Sequence, residues 1–484
     1  MALNATGAIS LGGSTTGQSI AVELSRSSTA TISLNDTVVR TLANVSSGTI
    51  SLYNLYSRST VPYWIGTLGS ASYKIYGNGV AVDSSGNVYV CGTHEFTSTN
   101  VDGFLAKYNS SGTIQWQRRY GDNDNSSQDA SGIAVDSSGN VYTVGSFVLG
   151  GYYRSQILLS KYNSSGTIQW QKHLGSNTDF GTADDYGNSV AVDSSGNVYV
   201  VGTDNWASMA EITVAKYDSS GTIQWQRGLN GTYSDGGSGI TVDSSGNVYI
   251  VGATTLNASG YSALILAKYN SSGSVQWQQR LGNTTTYTYG GGIAIDSSGN
   301  LYVVGTSSSH IVVAKYNNSG TIQWQRSLSS SYSDYGIGVA VDSSGNVYIS
   351  GYGGGPNQQC IIAKYDSSGS IQWQRNLSNS SLSVRFNKIA VDSSGNIHVF
   401  GFISGSPATS IVAKFPGNGS YTGTYTVGSY SFTYDASSLT DATSSITNSS
   451  TSLGTYNDVL TSIDYSSYTS SDAAETLTST ITKI

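Results

Sequence analysis

The sequence predicts an all-β protein: a seven-bladed β-propeller closed by an N-terminal strand, with a small N-terminal attachment module and a heptad-patterned C-terminal tail. Three observations predict it. The block VAVDSSGNVYVVGT recurs seven times, its aspartate falling at Asp83, Asp136, Asp193, Asp243, Asp296, Asp342 and Asp392, 46 to 57 residues apart; self-similarity at this period marks a propeller or solenoid. Each of the first six copies holds four runs of period-two alternation and the seventh three, the mark of strands with one buried face. One tryptophan strand is displaced to the front of the array.

That displacement fixes the blade count. The fourth run of each unit carries one tryptophan, at Trp116, Trp170, Trp225, Trp277, Trp324 and Trp373, but nothing of the kind follows the seventh unit after Phe415. Trp64, in PYWIGTLGS, stands 19 residues before Asp83, within the 18 to 23 that separate the other tryptophans from the next aspartate. The Trp64 strand is therefore expected to complete the last blade, closing the ring and removing open sheet edges. The domains read as 1–59, an attachment module; 60–416, the propeller; and 417–484, a Ser/Thr-rich oligomerisation tail.

Within a unit such as GITVDSSGNVYIVGAT…ALILAKYNSSGSVQWQQR, two turns separate the strands. In DSSGN the aspartate can close on its own backbone and the glycine supplies φ > 0; NSSG is the second tight turn. Both barely vary among the copies and lie on one face of a blade disc. The loops on the other face vary, an arrangement suited to presenting a recognition surface. Those loops supply the candidate ligand-binding residues: Trp206, Asp204, Tyr152, Tyr153, Asp184, Tyr186, Tyr233, Tyr287 and Tyr335. Aromatic rings can stack on sugar faces while carboxylates bond hydroxyls, which points to a glycan. The lysine of each third strand and the Arg or Lys after each later Trp read as solubilising charges on exposed strand faces.

Composition narrows the function. Charged residues make up 11%, roughly half the usual share, and the net charge is −7. Nucleic acid is excluded as a partner, because phosphate binding needs a clustered basic surface. Cys91 and Cys360 lie 269 residues apart, giving neither a disulfide framework nor a metal spacing; Cys91 stands where other repeats carry Val or Ile, and reads as a small buried hydrophobe. The start, MALNATGAISL, has no basic flank or apolar core and is not read as a secretory signal. No run of 18 apolar residues occurs, so membrane insertion is not expected. No triad or metal spacing involves the four histidines, and the adjacent Asp184 and Asp185 do not place two acids across a substrate. Neither catalysis nor a cofactor or metal is expected.

Two resemblances add to this reading. The run ISLNDTVVRTLANVSSGTISLYNLYSRS resembles an N-terminal module of tailed-bacteriophage virion proteins, including those of marine and cyanobacterial phages. It implies that residues 1–59 attach to other virion proteins, and that the protein resides in the virion, in the tail or a surface appendage. The repeats resemble the beta-propeller repeats of secreted bacterial proteins and, more loosely, NHL and quinoprotein-like propellers; the cofactor residues of the last have no counterparts here.

In the tail, Leu439, Ile446, Leu453 and Leu460 recur every seven residues, and Ala474 and Ile481 resume the row. A second row offset by three reads with it as the a and d positions of a heptad, predicting an oligomeric stalk, a homotrimer. The whole reads as a tail fibre or adhesin binding host-surface polysaccharide. A decoration protein without a receptor and a glycan depolymerase are the alternatives.

Overall fold

The computed structural model describes residues 63–483 except 98–99, 122–126, 149–154, 176–183, 206–208, 356, 438, 445, 447, 451–453, 457–460 and 465–476. The chain divides into two compact units, Met1–Tyr63 with Lys483–Ile484, and Trp64–Thr482. The expected attachment module, 1–59, lies outside the described residues. Among those residues every regular element is a strand.

Each repeat is an antiparallel meander. In repeat four, Asp235–Val242, Val248–Thr255, Ser262–Tyr269 and Val275–Leu281 pair in chain order. Repeats three to six form separate sheets of this kind, while repeats one and two share a ten-stranded sheet through the short strand Ser127–Gln128. The second and third strands are near-continuous apolar runs, buried on both faces because sheets pack on either side of them.

The DSSGN turn behaves as its chemistry requires. Asp243 Oδ1 accepts from the backbone N–H of Ser245 and Asn247, both at 2.9 Å, and Oδ2 accepts from the Asn247 amide and the Tyr249 hydroxyl. Gly246 sits at φ +76°. The same bonds recur at Asp83, Asp136, Asp193, Asp296 and Asp342. In repeat seven His398 replaces the tyrosine, and its Nε2 lies 3.1 Å from Asp392, which also meets Lys414 at 3.5 Å.

Successive repeats are gripped together through the second turn. Its glycine leaves room for the tryptophan of the preceding repeat: a Cβ on Gly273 would lie 2.8 Å from the Trp225 ring. Trp225 Nε1 donates to Ser271 O, and Arg227 Nε to Gly273 O. The lysines and arginines expected to be solubilising charges are thus staples. Lys161, Lys315 and Lys364 each cross a tyrosine ring and donate to a carbonyl of the next turn. Turn carbonyls that no strand satisfies need donors, and these side chains supply them.

Trp64 enters this scheme from the other end of the chain. Trp64–Gly69 pairs antiparallel with Thr409–Phe415, Trp64 opposite Lys414, the register that sets Trp225 opposite Lys216. Trp64 packs on Gly112 of repeat one as Trp225 packs on Gly273, although its indole N–H finds no acceptor among the described residues. Near the inner strands, Asn188 donates to Gly237 O and Ser238 to Gly290 O, each reaching the following repeat. Asn387 of repeat seven makes the same bond to Gly77 of repeat one, at 2.7 Å.

The tail departs from the expected stalk. Tyr430–Ala436, Thr440–Thr443, Asn448–Ser450, Gly454–Tyr456 and Thr461–Asp464 each add an outer strand, to repeats six, five, four, three and two in turn. Thr478–Lys483 joins the Trp64 strand. The leucines Leu377, Leu328, Leu281, Leu229 and Leu174 face Tyr434, Asp441, Asn448, Thr455 and Ser462. The tail therefore advances one repeat every seven residues, running opposite to chain order. Its period of seven is a step between sheets, and the trimer inferred from a coiled-coil heptad loses its basis. Serine and threonine are poor helix formers and suit strands instead. Three of the glutamines that follow a tryptophan help hold this belt: Gln374 donates to Leu439 O, Gln325 to Ile446 O, and Gln117 bonds both N–H and C=O of Leu477.

Three outcomes are expected. Trp64→Ala costs about 3–5 kcal/mol in denaturant unfolding, as for a large buried aromatic. Gln374→Ala costs about 1 kcal/mol and speeds amide exchange in 430–446, leaving the inner strands unchanged. Stability should also fall in acid. Burial raises the six turn carboxyls, but the asparagine, backbone and tyrosine hydrogen bonds outweigh it and hold them below the ordinary range. A folded pKa below the unfolded value of about 3.9 gives stabilisation that is complete above that pH and lost as pH falls through the folded value. Melting temperature against pH should therefore drop steeply below about pH 4; a collapse already at pH 6 would refute the assignment.

Candidate functional site

The invariant turns occupy one end of the inner strands, so the candidate site belongs at the other. The bulged inner strands begin there, and one register position recurs: the residue seven before the turn aspartate is Tyr76, Asp129, Tyr186, Gly236, Tyr289, Tyr335 and Arg385 through repeats one to seven. Tyr186 and Tyr289 are 42% and 46% exposed. Four tyrosines and an arginine thus share one level at the variable end.

Around repeats six, seven and one these groups touch. Tyr335 stacks on Tyr352 with ring centroids 5.0 Å apart, and the Arg385 guanidinium lies 4.5 Å from the Tyr352 centroid and 5.5 Å from that of Phe402. Phe402 meets Tyr76 edge-on at 5.1 Å. Arg385 Nε also donates to Gln358 at 2.5 Å. In repeat five, Tyr287 lies 4.9 Å from Tyr261 and stacks with Tyr289 at 6.5 Å. The result is a semi-rigid aromatic surface whose rings are positioned by strand ends.

Most candidate carboxylates are used up holding loops. Asp184 accepts from Ser155 N at 3.0 Å, and its backbone carbonyl takes the Asn205 amide. Asp204 is buried at the end of its strand, opposite Glu211. Asp185, Asp235 and Asp334, each eight residues before a turn aspartate, are buried too; Asp334 takes the N–H and hydroxyl of Ser330 at 2.6 and 3.1 Å. Loop N–H groups that no strand pairs need acceptors, which is why these acids turn inward. Burial, partly offset by hydrogen bonds, raises Asp235, and the Asp129 carboxyl is pushed up to about 6 by its burial. Burial and the neighbouring Asp184 raise the Tyr186 hydroxyl.

Of the sequence-predicted residues, Tyr186, Tyr287 and Tyr335 stand on the aromatic surface, with Tyr186 and Tyr287 well exposed. Tyr233 is half-buried in the turn between Asn230 and Asp235. Trp206, Tyr152 and Tyr153 lie outside the described residues. Sequence reasoning missed Tyr76 and Arg385, although aligning the repeats seven residues ahead of the aspartate exposes both.

Two concavities complete the description. A cavity of about 100 Å³ lies along the inner strands, lined by Gly79, Gly132, Ser189, Gly239, Gly292, Gly338 and Lys388, the same position of each repeat, and by the apolar residues Val80, Ile133, Ile240, Ile293, Val339 and Ile389 that follow six of them. A shallower groove of about 550 Å³ opens between repeats five and six, lined by serines, Gly354, Gly355, Gln359, Asn376 and the 55%-exposed Tyr332, with Ser437 and Thr440 of the tail on its outer wall. No lining side chain of the groove is charged. Among the described residues no cluster of three His, Cys, Asp or Glu side chains could hold a metal ion.

Comparison with known proteins supports the repeat architecture. A family model described as a beta-propeller repeat matches residues 64–93, 115–146, 169–203, 276–311 and 327–357, and a beta-propeller domain of unknown function matches 244–275. No curated protein matches the chain. Among solved structures, Sqt1 from Chaetomium thermophilum is 11% identical, with 76% of this chain and 99% of that one covered and a TM-score of 0.42. A protein from Lactobacillus plantarum is 14% identical over 64% and 94%, also at 0.42. A luciferin-regenerating enzyme is 13% identical over 64% and 93%, at 0.34. These neighbours include an enzyme and carry no argument about activity.

The geometry predicts that Tyr335→Ala loosens its neighbours: the Arg385 guanidinium loses the stacked support of Tyr352. In a double-mutant cycle, Tyr335→Ala with Arg385→Ala should show a coupling of about 0.5–1 kcal/mol in stability. Additivity would mean that the row is not a physical unit.

Proposed function

We propose that the chain is a phage virion structural protein of tail-fibre or adhesin type, which binds host-surface glycan through the variable end of a seven-bladed, closed propeller. The observation that carries the binding assignment is the aromatic level at Tyr76, Tyr186, Tyr289 and Tyr335, recurring at one register position opposite the invariant turns. Exposed tyrosines held by strand ends offer flat faces to pyranose C–H groups at low entropic cost, with hydroxyls for hydrogen bonds.

Closure is supported by sameness of contact. Trp64 on Gly112, and Asn387 to Gly77, repeat between the last and first repeats what consecutive repeats do elsewhere. A cavity lined by the same position of every repeat fits the axis of such a ring. The virion assignment rests on the resemblance of residues 7–59, with that module contacting other virion proteins. Each contact to glycan would be weak, and strength would come from several copies acting together on one particle.

The protein is read as a binder without catalytic activity. The acids that a depolymerase would need are engaged in loop closure at Asp184, Asp185 and Asp334. Purified protein passed over immobilised bacterial surface polysaccharides should be retained without shortening the polymer. Tyr186→Ala combined with Tyr289→Ala should weaken retention at least tenfold. Loss of polymer length would establish a depolymerase, and no retention on any host polysaccharide would favour a decoration protein.

A further inference from the structure

Six of the seven inner strands place a glycine or serine four residues before the turn aspartate, and the seventh places Lys388. All seven positions line the same cavity. The lysine is therefore not required by packing, since the fold accepts a residue with little or no side chain there six times. It is also unsupported. Its ammonium makes no hydrogen bond or ion pair among the described residues, and the only ionisable neighbour acting on it is the Cys91 thiol, which burial keeps protonated. Desolvation disfavours the lysine's charged form. Lys388 is half-buried, and a cation partly withdrawn from water with no counter-charge attracts one.

We propose that this cavity is an oxyanion site, in which Lys388 binds a carboxylate, sulfate or phosphate group on the axis of the inner strands. The size agrees. A cavity of about 100 Å³ has room for one small oxyanion. The group bound is either a free ion or the acid group of a larger ligand whose body remains outside, against the tyrosines. This site does not depend on the glycan reading.

The test uses the full-length protein and Lys388→Gly, which restores the residue the other repeats carry and so preserves the fold. Melting temperature is followed as sulfate replaces chloride at constant ionic strength. The wild type should rise by several degrees and Lys388→Gly by none, with Lys388→Arg keeping most of the shift. No shift in the wild type, or the same shift in Lys388→Gly, overturns the site and leaves only water there. Calorimetry with glucuronate and with a glucuronate-terminated oligosaccharide then names the source. Binding of the oligosaccharide at least tenfold tighter than the monomer, lost in Lys388→Gly, assigns a ligand-borne acid; equal binding of both assigns a free ion, and either keeps the site. Polysaccharide retention that survives Lys388→Gly leaves the binding face standing, whatever the sulfate result.

Discussion

The grip of one repeat's tryptophan on the next repeat's glycine turn is the contact on which the architecture depends. A four-stranded meander cannot bury both faces by itself; it needs a neighbour on either side. The Trp–Gly contact fixes where that neighbour sits, and the lysine and arginine staples satisfy turn carbonyls that would otherwise be left without donors. Because the contact is directional, a linear array would leave a tryptophan acceptor unfilled at one end and a meander without its fourth strand at the other. Trp64–Gly69 answers both needs, supplying the missing strand and covering Gly112.

The tail solves the remaining problem of the outer edges. The fourth strand of each repeat would expose its unpaired backbone, a template for association with other chains. Short tail strands pair with that edge in five repeats, and in the seventh the last strand covers Trp64–Gly69. A seven-residue step is what a strand of three or four residues plus a short link needs to pass from one sheet to the next. The apolar residues of the row serve the same end: Leu439 packs against the cluster of Tyr302, Trp324 and Tyr365, and Ile446 against that of Tyr249 and Trp277.

Much of the scaffold was legible because repetition in the sequence reports repetition in space. The strand order, both turns, the buried Cys91 and the partner of Trp64 follow from comparing copies. The tail was misread because a period of seven has two physical sources, the turn of a helix pair and the spacing of sheets, and residue pattern alone does not separate them. Its Ser and Thr content was the clue that favoured strands. The candidate site was half legible. Loop aromatics could be found by composition, but whether a loop carboxylate faces solvent or turns inward depends on the fold: Asp184 and Asp334 accept from loop N–H groups, and Asp204 is buried. Lys388 was hidden for a different reason: it looks ordinary alone and stands out only against six small residues in the same column.

The central claim is that seven repeats close on themselves through the Trp64 strand. Electron-microscopic class averages of the purified protein, viewed down the axis of the inner strands, test it most directly. The account predicts a continuous ring of seven lobes around a narrow centre. An arc with a gap beside the lobe carrying Trp64, or a ring of six or eight lobes, would contradict it.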